Sequence, residues 1–381
     1  MTTVIHSVRL VDDGRITEDA WVAFADGLVT ATGDGQAWRE LPGADPIDGT
    51  GAYLTPGFID IHGHGGGGAA FDDGADAIRT ARALHRAHGT TRAVLSLVTA
   101  PLDVLAARAA VVADLAATDA TILGSHLEGP FLDAGHKGAH TERLLRTPDA
   151  ASIDRLLEAG RGTVRQITLA PELPGGLDAT KRVVAAGAAA AVGHTNATAG
   201  EAQEAFDAGA TILTHAFNAM PGIHHRAPGP VVAAMRDDRV TLEVIADGVH
   251  VDPAVVALAF AGAPGRIALI TDAMAAAGAP DGSYELGGLA VTVTGGVARL
   301  DGGGAIAGST LTQDAALRLA VEAGIPLVDV VEALTAVPAR AIGVAGRFGS
   351  LRVGAAADAV LLDETLRVTA VWTGGIRHTS S

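Results

Sequence analysis

Six side chains of the kinds that bind divalent metals stand just past the ends of apolar, strand-like runs. They are His62 and His64 in FIDIHGHGG, Glu128 in GSHLEGPF, His194 in AVGHTNAT, His215 in ILTHAFNAM and Asp272 in ALITDAM. Imidazole nitrogens and carboxylate oxygens suit zinc, iron, manganese and cobalt, and donors gathered from several strand ends suggest a catalytic ion rather than a structural one. Side chains two apart in extended backbone point the same way, so His62 and His64 can reach one ion. Gly63 and Gly65 to Gly68 let the backbone there turn and approach a ligand. Glu128 could ligate one ion or bridge two. Asp272 has a second expected role, because a carboxylate beside metal-activated water can take a proton and deliver it to a leaving amine.

Each residue also has a plainer reading. The His-x-His pair could be exposed in a polar loop, Glu128 could sit at a helix N-terminus, His194 and His215 could be packed core histidines, and Asp272 could cap a helix. Their recurrence at strand ends favours the metal site. His126, on the same face as Glu128, is expected to be packed and hydrogen-bonded and stays outside the ligand set.

These residues must be positioned by the elements between them. Apolar runs near 58–62, 91–98, 121–127, 163–169, 189–193, 210–214, 240–246 and 266–271 alternate with Ala-rich helical stretches. Their spacing of about 30 residues fits βαβ units. Eight units predict an α/β fold, a (β/α)8 TIM-type barrel whose active face lies at the strand C-termini. A doubly wound open sheet is the alternative, but it would not bring ligands from strands one, three, five, six and eight to one point. The first fifty residues and the last thirty-five alternate in strand fashion and are expected to pair into one small β domain. This sets boundaries at 1–54 plus 345–381 for the β domain and 55–344 for the barrel. LAVTVTGGVARL reads as a hairpin turning at Gly295-Gly296, followed by a glycine-rich loop and two helices through 338.

Composition narrows the partners. The 381 residues are 48% hydrophobic but only 3% aromatic, so aliphatic side chains must fill the core. A formal charge of −16 argues against nucleic-acid or anionic-membrane binding. The absence of cysteine excludes disulfides and thiolate ligands and fits a cytoplasmic protein. The N-terminal stretch does not read as a secretory leader, and no apolar run is long enough to span a bilayer. An anionic substrate would need a local basic pocket. With only Lys137 and Lys181 as lysines, that pocket would fall to His136, Lys137, His140, the HHR of 224–226, and His250, all on loops of the same barrel face.

The motifs PGFIDIHGHG, HLEGPF, GHTNAT, THAFNAM, ADGVH, LITDAM and AGSTL, with a closing GSLRVGAAADAVLLD, resemble the N-acetylglucosamine-6-phosphate deacetylases, a family of the amidohydrolase superfamily. The likeness runs almost end to end. It implies a metal-dependent barrel with a small β-sandwich from both termini, acting in amino-sugar catabolism and cell-wall recycling. By position, Glu128, His194 and His215 would hold the main metal, and Asp272 would shuttle the proton. His140 would sit by the substrate carbonyl and sugar and help stabilise the oxyanion, with Ala139 beside it. Asn218, the Ala219 backbone, Arg226 and His250 would bind the phosphate, near Asp247, and the Ile306-Ala307-Gly308 loop would close over the N-acetyl group. The resemblance further implies one or two divalent ions per subunit, Zn2+ or Fe2+, and a homodimer. A cyclic amidase or deaminase of the same superfamily is the alternative; such enzymes commonly use a modified lysine at the position of Glu128. A catalytically dead scaffold barrel would be expected to have lost ligands that this chain keeps.

Overall fold

The predicted apolar runs become strands. In a computed structural model describing residues 2–378, they are Phe58–Asp60, Thr90–Val98, Ile122–Glu128, Val164–Leu169, Ala189–Val192, Ile212–Leu213, Thr241–Ile245 and Ile267–Ile270. Each pairs in parallel with its neighbours in sequence order. Both faces of such a sheet are covered, which explains why every residue of Thr90–Val98 and Ile122–Glu128 is buried. A helix crosses between each strand and the next, among them Ala75–Ala87 and Ala199–Asp207, and Gln313–Glu322 follows the last strand. The Thr198-x-x-Glu201 sequence opens one of them with a reciprocal capping box.

Between the first and eighth strands and the residues just past them, side chains and backbone bonds draw the sheet towards closure. The buried Gln313 amide donates to Ile59 O at 3.0 Å and to Leu269 O at 3.3 Å. Thr271 Oγ1 donates to Asp60 at 2.6 Å, and Asp272 N donates to His62 O at 2.8 Å. This seam sets His62 beside Asp272, although most of the barrel lies between them in the chain. Burial pushes the Asp60 carboxyl up to about 6, although its hydrogen bonds with Thr271 and His62 pull it down.

The termini meet as the sequence suggests. Thr2–Asp12 pairs with Arg15–Ala25 and Tyr53–Pro56, and Tyr53–Pro56 pairs antiparallel with Ala359–Leu362 near the C-terminus. The predicted hairpin forms too, with Gly295 and Gly296 at positive φ, but it carries a third strand, giving Gly282–Leu286, Leu289–Thr294 and Val297–Leu300. The helical tail differs from expectation: three helices, Gln313–Glu322, Leu327–Leu334 and Ala336–Ala341, replace two. The break is at Thr335, where φ is −132°. Pro338 has no N–H to give back to the preceding turn, so a continuous helix is not available.

Arg92 and Asp358 join the barrel to the terminal sheet. Arg92, on the second barrel strand, grips the carboxylate with Nε at 2.6 Å and Nη2 at 2.8 Å. Both residues are buried, and Gly374 N donates to the same carboxylate at 2.7 Å. Removing one partner of such a pair leaves an uncompensated buried charge. Asp358→Asn should therefore lower the unfolding free energy by about 3–5 kcal/mol in chemical denaturation. A change well below about 1 kcal/mol would show that the pair does not hold the sheet to the barrel.

Candidate metal centre and pocket

All six expected ligands converge. His62 and His64 leave the first strand, Glu128 ends the third, His194 and His215 follow the fifth and sixth, and Asp272 follows the eighth. Two triads form, His62 with His64 and Asp272, and Glu128 with His194 and His215; in each triad one donor atom per residue lies within 4.8 Å of the others. Glu128 joins the triads. Its Oε1 lies 3.3 Å from His62 Nε2, 3.1 Å from His194 Nε2 and 3.2 Å from His215 Nε2, while Oε2 lies 3.1 Å from His64 Nε2. Asp272 Oδ1 stands 3.2 Å from His64 Nε2 and 3.6 Å from His62 Nε2.

The backbone is bent to achieve this. His194, His215 and Asp272 have φ of 47°, 27° and 48°, left-handed values that non-glycine residues rarely take. Strain of this kind costs about 1–3 kcal/mol per residue and clusters at functional sites. Gly65 is needed for a different reason: a Cβ there would lie 2.4 Å from Ala69 O.

The donor set fits a divalent ion. Two donors on one tetrahedral zinc, each about 2.0–2.1 Å from it, stand about 3.3 Å apart. The separations here bracket that value, from 2.9 Å between His194 Nε2 and His215 Nε2 to 3.6 Å. Among the described residues, His62 Nε2 is buried without a hydrogen-bond partner. The outward nitrogens of two ligand rings are tied: His62 Nδ1 to Glu243 at 3.0 Å and His194 Nδ1 to the His136 carbonyl at 2.9 Å. Such partners turn the Nε2 lone pairs inward. The electrostatics agree. Burial opposes charge throughout, yet the carboxylates push His62 well above its usual range and His64 up to about 9. Glu128 and Asp272 lie below the ordinary carboxylate range because the imidazoles outweigh burial. The cluster calls for positive charge at its centre, which a divalent ion supplies in place of protons.

Above the ligands opens a cavity of about 310 Å³, walled in part by His64, Ala139, His140, Asn218, Ala219, His250, Asp272, Ile306 and Gly308. Leu286, from the three-stranded insertion, adds an apolar wall that the sequence reading did not anticipate. Three expected substrate residues lie outside this wall. Arg226 is exposed on the loop after the sixth strand, Ala307 is packed in the apolar core of the insertion, and Asp247 stands behind His250. His250 Nδ1 meets Asp247 at 2.7 Å, and this partner outweighs burial to raise the His250 pKa. His126 is packed as expected, its ring nitrogens 2.8 Å from Ser96 and from Thr168.

His140 lines the cavity beside the centre. Its Nδ1 lies 2.8 Å from Thr99 Oγ1, its Nε2 lies 3.5 Å from Glu128 Oε2, and burial pushes its pKa down to about 4. Thr99 and Glu243 were not singled out from the sequence. A glutamate inside the apolar strand TLEVI is a usable signal, since a buried carboxylate must find donors; Thr99 offers none.

Comparison with known proteins follows the same lines. The model of the amidohydrolase family matches residues 53–377. An N-acetylgalactosamine-6-phosphate deacetylase of Escherichia coli O157:H7 is 40% identical, covering 98% of this chain and 99% of that protein. An N-acetylglucosamine-6-phosphate deacetylase of Bos taurus is 36% identical over 85% of this chain and 83% of its own length. Among solved structures, a mutant N-acetyl-D-glucosamine-6-phosphate deacetylase of Mycobacterium smegmatis, in complex with N-acetyl-D-glucosamine-6-phosphate, superposes with a TM-score of 0.92 at 43% identity, over 99% of this chain and 98% of that one.

Stripping divalent ions with a chelator should lower Tm, and returning zinc at about 100 times its Kd should restore about 2.7 kcal/mol. Calorimetry of stripped and reloaded protein reads this directly; an unchanged Tm would count against a metal centre.

Proposed function

Because the chain belongs to the amidohydrolase family, we propose that it hydrolyses N-acetyl-D-glucosamine 6-phosphate to D-glucosamine 6-phosphate and acetate. The observation that carries the reading is the meeting of Glu128, His194, His215 and Asp272 at the floor of one cavity whose wall includes His250. A cyclic amidase or deaminase is disfavoured by Glu128, which stands where such enzymes commonly place a modified lysine, and by the relatives' names.

Family membership brings a divalent metal. Glu128, His194 and His215 would hold one ion, with His62, His64 and Asp272 able to hold a second; zinc or iron suits both sets. When bound, the ion supplies Lewis acidity, lowering the pKa of the attacking water and offsetting charge on the carbonyl oxygen. Asp272, buried and held ionised by the facing imidazoles, takes a proton as water attacks the acetamide carbon. It then gives that proton to the sugar nitrogen as the C–N bond breaks and acetate leaves. His140, at the cavity wall beside Glu128, sits by the substrate carbonyl and helps offset charge on its oxygen. His250, its pKa raised by Asp247, takes the phosphate, with Asn218 and the Ala219 backbone beside it. Arg226, outside the wall, joins on closure of its loop or across a homodimer contact. Remote phosphate binding of this kind positions the reacting bond.

Several features support the wider setting. Ile223 and Val249, both exposed on loops of the same face, suit a homodimer interface. Pairing of Tyr53–Pro56 with Ala359–Leu362 supports residues 1–54 with 345–381 as one β unit beside a catalytic barrel of 55–344. Among the described residues no helix is long and apolar enough to cross a membrane, and the cysteine-free chain suits a cytoplasmic setting.

Acetate release from N-acetylglucosamine 6-phosphate should exceed release from the unphosphorylated sugar by about tenfold or more in kcat/KM, the worth of a charged hydrogen bond. The C4 epimer, N-acetylgalactosamine 6-phosphate, belongs in the same assay: a preference for it would keep the chemistry and reassign the sugar, whereas no release from any of the three would sink the reading. Asp272→Asn should keep the ion held by Glu128, His194 and His215 yet lose about 10²–10⁴ in kcat. An active variant would remove Asp272 from the proton transfer.

A further inference from the structure

We propose that Glu243 is a positioning residue of the centre, holding His62 so that Nε2 faces the ion position shared with His64 and Asp272. The inference rests on the metal-hydrolase reading above. Glu243 lies mid-strand in Thr241–Ile245, is fully buried and is not part of the cavity wall. A carboxylate here is costly unless donors surround it, and three do. His62 Nδ1 lies 3.0 Å from Oε2, His215 N donates to the same oxygen at 3.3 Å, and Gln166 Nε2 donates to Oε1 at 2.8 Å.

This set decides the His62 tautomer. The acceptor at Nδ1 keeps the proton there and leaves the lone pair at Nε2, an atom with no hydrogen-bond partner among the described residues. The ring cannot swing away, because His126 packs edge-on against it, with ring centroids 4.5 Å apart, and is itself held by Ser96 and Thr168. The same carboxylate oxygen takes the backbone N–H of His215, whose φ is 27°. Glu243 therefore touches one ligand from each triad, from behind. A barrel interior needs only apolar filling; a carboxylate with these donors serves the ligands.

The test is E243Q. The substituted side chain keeps one acceptor for His62, and its amide can donate to Gln166 Oε1, which has no hydrogen-bond partner among the described residues, so folding should survive. Zinc is titrated against a competing chelator, with zinc content per chain measured by elemental analysis. Tm is recorded for chelator-stripped and reloaded protein, and H62A serves as a reference for loss of the site. The expected result is binding of the ion at His62 weakened by about 10–100-fold, the other ion, whose His215 Glu243 touches only through its backbone N–H, affected less, and an unchanged Tm for stripped protein. E243L, which removes the acceptor, should bind that ion more weakly still. The proposal is overturned by zinc affinities equal to wild type in E243Q, by an equal fall in Tm with and without zinc, or by wild-type protein that takes up no ion sensitive to H62A. Acetate release does not enter these readings, so failure of the substrate assignment alone would leave the zinc response intact.

Discussion

Glu128 is the charge around which the rest is arranged. Its two oxygens face four ligand-type imidazoles within 3.3 Å, and His140 at 3.5 Å. A buried carboxylate in such company stays ionised, and the rings around it keep their lone pairs only if other groups take the protons on their far nitrogens. Glu243 and the His136 carbonyl, which can only accept, take those protons on His62 and His194. The centre is thus two layers: donors facing inward, and behind them acceptors that orient the His62 and His194 rings.

Bringing those donors to one point sets the demands on the barrel. Ligands come from strands far apart in the chain, and the seam between the first and eighth strands is where His62 meets Asp272. That seam combines Gln313 and Asp60 with Thr271 and the backbone bonds from Asp272, His64 and Gly65 just past the strands. Left-handed backbone at His194, His215 and Asp272 turns the side chains in after the strands end. Strain and buried polar groups of this kind are tolerated because a large aliphatic core surrounds them.

Charge is handled locally. The chain is strongly acidic overall, yet the cavity wall is rich in histidine, and Asp247 raises the His250 pKa. Burial and the neighbouring imidazoles lower the pKa of His140. The same side-chain type is thus pushed in opposite directions within one pocket, according to its neighbours.

Much of this was legible in the amino-acid order. The period of about 30 residues predicted eight strands, because each strand must be covered by a helix before the next parallel strand can pair. The position of His and carboxylate residues after those strands predicted the centre, because a barrel projects its strand ends to one face. The terminal strands were readable from alternation alone. What only tertiary structure decided is which atom of each ring faces inward, which loop residues reach the cavity, and where a break such as Thr335 falls. Arg226 lies outside the wall although it occupies a motif position, and Glu243 lies behind His62 although it sits 181 residues away. Burial, hydrogen-bond direction and tautomer depend on neighbours brought together from distant positions, and spacing along one chain carries no record of them.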